Sequence, residues 1–208
     1  MRRFEHDGIR FAYRDAGDGP PFAFQHGLGG DAAQPASLCR SAVRLVTLEC
    51  RGHGDTEPLG PEEALSFATF AADLAALLDH LGLEEVVLGG VSMGAGVALA
   101  LALAHPARVR GLALVRPAWV DRGSPENLRA YPLIAALLRA HGRRGREAFA
   151  ASEEYALVRA RSPASAASLL GQFDRPGAVA RAAVLERLAA DAPVAPGAPW
   201  GALAMPAL

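Results

Sequence analysis

The 208 residues carry 21 basic and 22 acidic side chains, a net charge of −1, 51% hydrophobic content and no lysine. That length supports one domain, or one domain with a small insertion, able to bury about 70% of its unfolded surface. The near-neutral balance argues against nucleic acid or an anionic membrane as a dedicated partner, and no apolar run reaches the roughly 20 residues a membrane span needs.

Cys39 and Cys50 are too few and too isolated for a disulfide framework or a zinc knuckle, and each reads as a buried thiol. Arg2 and Arg3 are followed by no apolar stretch of the kind a signal peptide requires. A soluble, cytoplasmic protein is the expectation.

From Gly8 to Asp15, Ile9, Phe11 and Tyr13 alternate with Arg10 and Arg14, which predicts an edge strand. A turn cluster from Asp15 to Pro21 leads into a short apolar strand, Phe22–Phe24. After it, Gln25-His26-Gly27-Leu28-Gly29-Gly30 is a glycine-rich loop able to turn its N–H groups inward, as an anion-binding loop requires. Val43–Cys50 is nearly continuous in apolar residues, which predicts a strand buried on both faces, and it ends in the polar loop Arg51 to Pro58. A helix follows: Ser66 caps it, Phe67, Phe70, Ala71, Leu74, Leu77, Leu78 and Leu81 recur at helical spacing, and Gly82 stops it.

Glu85 to Gly89 predicts the next strand. It runs into Gly90-Val91-Ser92-Met93-Gly94 and then into Met93 to Ala104, an alanine- and leucine-rich stretch that predicts a helix buried all round. A strand giving way to two glycines, one serine and a helix is the layout of a nucleophile elbow. Composition alone produces a Gly-x-Ser-x-Gly match in about one chain in ten of this make-up, so context must carry the reading. Val109–Val115 is a further apolar strand, and strands alternating with helices from Phe22 to Val115 predict a parallel sheet covered on both faces.

Past Pro117 the pattern is helical only, with stretches at Leu128–Leu138, Arg146–Arg161, Pro163–Phe173 and Ala178–Ala190. The cluster Arg139, Arg143, Arg144 and Arg146 reads as a solvated face. A proline- and glycine-rich linker, Pro193–Gly201, precedes Leu203–Leu208, which looks like the entry to another strand. The expected organisation is a core over 1–120, a helical cap over 121–195 and a returning core strand starting within 196–208.

His26-Gly27-Leu28-Gly29, Arg51-Gly52-His53-Gly54-Asp55 and Gly90-Val91-Ser92-Met93-Gly94, in this order and spacing, resemble the α/β-hydrolase fold family, strongly over 9–120 and beyond that only as a helical cap. The resemblance implies an α/β fold with a mostly parallel sheet flanked by helices. It also implies Ser92 as the nucleophile and the backbone N–H groups of Leu28 and Met93 as the oxyanion hole. Met93 opens a helix, so its N–H is unpaired and lies at the positive end of the helix dipole. His26, Gly27, Gly90 and Gly94 would shape the loops, and His26 and His53, which could be taken for a catalytic base, fit that loop-shaping role better. No metal or organic cofactor is implied. The substrate would be a small hydrophobic ester, lactone or related acyl compound, and the motifs are shared by cofactor-free haloperoxidases, enol-lactonases, aminopeptidases and C–C hydrolases.

Two departures stand out. Glu49 replaces the aspartate usual before the Arg51-Gly52 loop, which predicts an altered loop hydrogen bond. The triad of this fold runs serine, acid, histidine in chain order, yet after Ser92 only His105, at a helix end, and His141, in the arginine-rich part of the cap, are available. Asp121 follows the last strand, where some related dehalogenases place their acid. The expectation is therefore that the acid, the histidine and the final strands lie beyond Leu208. These 208 residues by themselves would then be inactive or nearly so. The alternative is a non-catalytic hydrolase-like binding or receptor protein, or an inactive fragment.

Overall fold

The computed structural model describes every residue of the chain except Ser41, Ala118 and Leu208. Six strands form one sheet: β1 (Arg2–His6), β2 (Ile9–Ala16), β3 (Pro21–Gln25), β4 (Arg44–Leu48), β5 (Val86–Val91) and β6 (Val109–Val115), in spatial order β1-β2-β4-β3-β5-β6. The first three in that order pair antiparallel, and β4, β3, β5 and β6 are parallel neighbours. Parallel pairing needs crossovers, supplied here by helices α1 (Ala33–Leu38), α2 (Phe67–His80) and α3 (Met93–Ala104).

The chain leaves β3 toward β4 on one side, while β5 lies on the other. The carboxyl ends of β3 and β5 therefore flank a topological switch point, the place where open α/β sheets form their ligand crevice.

The segment read as an edge strand is not one. β2 is covered by β1, whose only apolar residue, Phe4, is buried and stacks on Phe11 with ring centroids 5.3 Å apart. One apolar residue in five leaves no alternation to detect, so β1 is invisible to pattern reading. α1 likewise has no apolar period, and its Pro35 sits in the first turn, where a missing N–H costs nothing. By contrast α2 follows its apolar stripe: Ser66 Oγ accepts the Thr69 N–H as cap, and Gly82, at φ 64°, ends the helix. α3 is buried along nearly its whole length.

The chain divides into two compact units, one of Met1–Arg122 with Ala192–Leu208 and one of Gly123–Asp191. In the first, the Leu112 N–H donates to the Pro206 carbonyl at 2.9 Å and Ala207 bridges Leu112 in parallel, so the late segment reaches the β6 side of the sheet. Leu208, the end of the expected returning strand, lies outside the described residues.

The second unit is helical: α4 (Ala130–His141), α5 (Gly145–Ala150), α6 (Glu153–Arg161), α7 (Pro163–Leu170) and α8 (Ala182–Ala190). The expected helix over 146–161 breaks at Ser152, whose Oγ accepts the Tyr155 N–H and starts α6 afresh. Ile134, Leu138, Phe149, Phe173, Val184 and Leu188 form its core. No helix among the described residues is long and apolar enough to cross a membrane.

Candidate active site

Ser92 sits between β5 and α3 with φ 55° and ψ −114°, a conformation a residue with a Cβ adopts only under constraint. The glycines on either side explain how the turn closes. A Cβ at Gly90 would overlap the Gly94 carbonyl, and one at Gly94 would overlap the Gln25 carbonyl at the end of β3. The elbow is thus packed against both itself and the neighbouring strand. The Ser92 N–H is tied to the Val115 carbonyl at 3.0 Å, and the Ser92 carbonyl accepts from Ala95 and Gly96 as α3 begins.

Beside the elbow lies the glycine loop. Gln25 and Gly90 are register partners, and a Cβ built on Gly27 would stand 3.7 Å from Ser92 Cβ. Three N–H groups of the loop are spoken for: Gly27 donates to Gln34 Oε1 (2.7 Å), Gly29 to His53 Nε2 (3.0 Å) and Gly30 to the Gly27 carbonyl (2.8 Å). Among the described residues, neither the Leu28 N–H nor the Met93 N–H has an acceptor. Leu28 is in the loop after β3, and Met93 opens α3.

His26 and His53 are both buried, with ring centroids 4.7 Å apart. A carbonyl can only accept, and a backbone N–H can only donate, so their partners fix their protonation. His26 donates from Nδ1 to the Gly27 carbonyl (2.9 Å) and accepts the Cys50 N–H on Nε2 (3.1 Å). His53 donates from Nδ1 to the Arg51 carbonyl (3.0 Å) and accepts the Gly29 N–H on Nε2. Each is a neutral imidazole with both ring nitrogens engaged by backbone, an arrangement that shapes loops.

Glu49 is engaged in loop hydrogen bonds. Its buried carboxylate accepts the Ala32 N–H on Oε1 (3.1 Å) and the Asp55 N–H on Oε2 (2.6 Å), joining the start of α1 to the 51–58 loop. Thr56 completes that joint, donating to the Glu49 carbonyl (2.6 Å) and accepting the Ala12 N–H (2.9 Å).

Beneath the same loop Arg51 and Asp73 form a buried two-pronged pair, Nε to Oδ2 at 2.8 Å and Nη2 to Oδ1 at 2.7 Å. Burial lifts the Asp73 carboxyl above its ordinary value against the pull of Arg51, while Asp73 holds the Arg51 guanidinium more firmly protonated. Sequence reading missed this pair, although a signal existed: Asp73 falls on the apolar stripe of α2, three residues after Phe70. Burial also pushes the Cys50 thiol well up, which makes it unreactive, whereas Cys39 is only half-buried.

The remaining histidines of this unit are placed elsewhere. His6 lies beside Asp7, His80 stacks on Phe4, and His105 caps the far end of α3, about 18 Å of helix from Ser92. Asp121 is exposed at the boundary of the unit. Among the described residues no cluster of metal-ligating side chains occurs.

A family model described as alpha/beta hydrolase fold matches residues 20–161. The chain belongs to the alpha/beta hydrolase fold family. Within it, the dihydrolipoyllysine-residue acetyltransferase component of the acetoin cleaving system of Cupriavidus necator is 37% identical over 115 residues, 53% of this chain and 30% of that protein. A non-heme chloroperoxidase of Kitasatospora aureofaciens is 39% identical over 94 residues, 43% of this chain and 34% of that protein. The chain thus spans about a third of the length of these curated relatives. Among solved structures, the enol-lactonase of Burkholderia xenovorans superposes with a TM-score of 0.70 at 25% identity, covering 99% of this chain and 79% of that one. A thermophilic esterase of Thermogutta terrifontis gives 0.61 at 29% identity, covering 90% and 74%.

Proposed function

We propose that this alpha/beta hydrolase chain carries the nucleophile and oxyanion hole of a serine hydrolase acting on a small hydrophobic ester, lactone or related acyl compound. The observation that carries the proposal is Ser92, held at positive φ on a turn that both of its flanking glycines are needed to form. Such a turn lifts the hydroxyl clear of the strand end, where an acyl carbon can approach it.

Attack by Ser92 Oγ moves negative charge onto the carbonyl oxygen. Leu28 and Met93 each offer a backbone N–H without an internal acceptor, and the Met93 donor stands at the start of a twelve-residue helix. The names of structurally similar proteins, an enol-lactonase and an esterase, fit acyl chemistry of this kind.

A serine hydroxyl is a poor nucleophile at neutral pH without a base. His26 and His53 are committed to backbone partners and His105 is a helix length away, so in this proposal the base comes from none of the three.

The test is a panel of short-chain aryl esters and lactones in imidazole buffer, which supplies a base, with the Ser92→Ala variant as control. Hydrolysis that falls by more than tenfold in the variant supports the proposal. Turnover within tenfold of the unaltered protein overturns it.

A further inference from the structure

We propose that Arg116 binds a carboxylate carried by the substrate, a role that deepens the serine-hydrolase reading above and rests on it. β5 and β6 run in parallel register up to Val91 and Val115, and the Ser92 N–H donates to the Val115 carbonyl at 3.0 Å. Ser92 and Arg116 are therefore the first residues past the last register pair, at the carboxyl ends of neighbouring strands about 5 Å apart. An arginine side chain is longer than that spacing, so its guanidinium can reach a group bound at Ser92.

Arg116 takes φ 47°, as Ser92 takes φ 55°. Neither has the freedom of glycine, and Arg116 also precedes Pro117, which pushes a residue toward extended backbone. Strain of this kind persists where the surroundings impose it, and it gathers at ligand sites.

The residue is exposed, and among the described residues its side chain has no ion pair or hydrogen bond. The arginines at the other end of β6 are paired, Arg108 with Asp79 at 2.7 Å and Arg110 with Glu85 at 2.8 Å. The preceding residue, Val115, is 40% exposed although apolar. A guanidinium left open beside exposed hydrocarbon, level with the nucleophile, suits an apolar ligand that carries one anionic group. A carboxylate matches the two-pronged donor face of arginine, and its single charge matches the single guanidinium.

Strand order gives the direction. Leu28 lies in the loop after β3, on one side of β5, and Arg116 follows β6 on the other. With the substrate's carbonyl oxygen turned to the Leu28 and Met93 N–H groups, one of the two remaining substituents of the carbonyl carbon is left to run toward β6. That substituent, the acyl chain or the leaving group, carries the carboxylate.

Ketone isosteres, in which a methylene replaces the ester oxygen, test binding without turnover. γ-(Phenylacetyl)butyrate places the carboxylate on the acyl side and para-acetonylbenzoate on the leaving-group side, and the primary amide of each is its uncharged control. Calorimetry on the unaltered protein is expected to show at least one carboxylate binding about tenfold or more tightly than its amide, and the pair that shows the preference tells the two sides apart. Arg116→Gln is expected to bring that preference within about threefold. Arg116→Lys, which keeps the charge but loses the fork, is expected to retain part of it. Carboxylates that bind no more tightly than their amides, absence of binding included, or a preference that survives Arg116→Gln, overturn the proposal. A failure of the Ser92 reading looks different: Ser92 would escape an aryl fluorophosphonate in imidazole buffer, while the carboxylate preference and its loss in Arg116→Gln are measured without any nucleophile.

Discussion

The two units handle their polar groups in opposite ways. Of the buried polar and charged residues described, Gln25, His26, Thr47, Glu49, Arg51, His53, Thr56 and Asp73 all belong to the sheet unit, and only Gln172 to the helical one. In the helical unit no charged residue described is buried outright, and pairs such as Arg129–Glu154 and Arg161–Glu126 lie largely at the surface. Burying a polar group is costly unless its partners are in place, so a concentration of satisfied ones marks where backbone must be held to a fixed geometry. Here most of them hold the loops after β3 and β4, which adjoin the elbow.

That contrast can be broken most severely at Arg51. Arg51→Met leaves the Asp73 carboxylate buried without its partner and is expected to cost about 3–5 kcal/mol, with much of the loss recovered in an Arg51→Met, Asp73→Leu double variant. Urea melts of the three proteins check it, and a double variant as unstable as the single one would contradict the assignment.

Gln25 is the exception that sharpens the comparison. It is fully buried, and among the described residues neither of its amide atoms has a partner. Replacing an unpaired amide with an apolar chain of similar size removes a desolvation cost, so Gln25→Leu is expected to stabilise by about 1–2 kcal/mol. Destabilisation in the same melts would mean that the amide is engaged.

Asp15 offers a smaller effect with a pH signature. The Arg44 hydrogen bonds at 2.8 and 2.9 Å, with Arg2 at 3.0 Å, hold its carboxyl below the usual carboxylate range. The stabilisation is present above the unfolded value near 3.9 and is lost as pH falls through the lower folded value. Asp15→Asn is expected to cost about 1 kcal/mol at pH 7, with the difference from the unaltered protein shrinking below about pH 4. A pH-independent difference would contradict it.

At the bottom of the scale stands Arg129→Ala, which removes an exposed ion pair of the helical unit and is expected to change stability by less than about 0.5 kcal/mol. A larger loss would mean that charge in this unit is not confined to solvated pairs.

Much of the sheet unit was legible because its signals are local. The elbow is an apolar run followed by glycines at fixed spacing, and α2 is a stripe with a cap and a stop. β1 escaped because Phe4 alone carries its pattern, and α1 because it has no apolar face to repeat.

At the site, the residue types and the loops were readable. The partners were not. That His53 reaches Gly29 and His26 reaches Cys50, each 24 residues away, depends on which strands become neighbours, and no local pattern encodes it. The Arg51–Asp73 pair was half-visible as a carboxylate on an apolar stripe.

The central claim is that Ser92 is a nucleophile held beside a ready oxyanion hole. The most direct measurement is peptide mass spectrometry of the folded 208-residue protein after exposure to an aryl fluorophosphonate in imidazole buffer, the free imidazole serving as the base that His26, His53 and His105 do not provide. The account predicts covalent phosphonylation of Ser92 in preference to the other serines, abolished in Ser92→Ala and slowed by a competing short-chain ester. A folded protein in which Ser92 stays unmodified, or is modified no faster than an exposed serine such as Ser37, would contradict it.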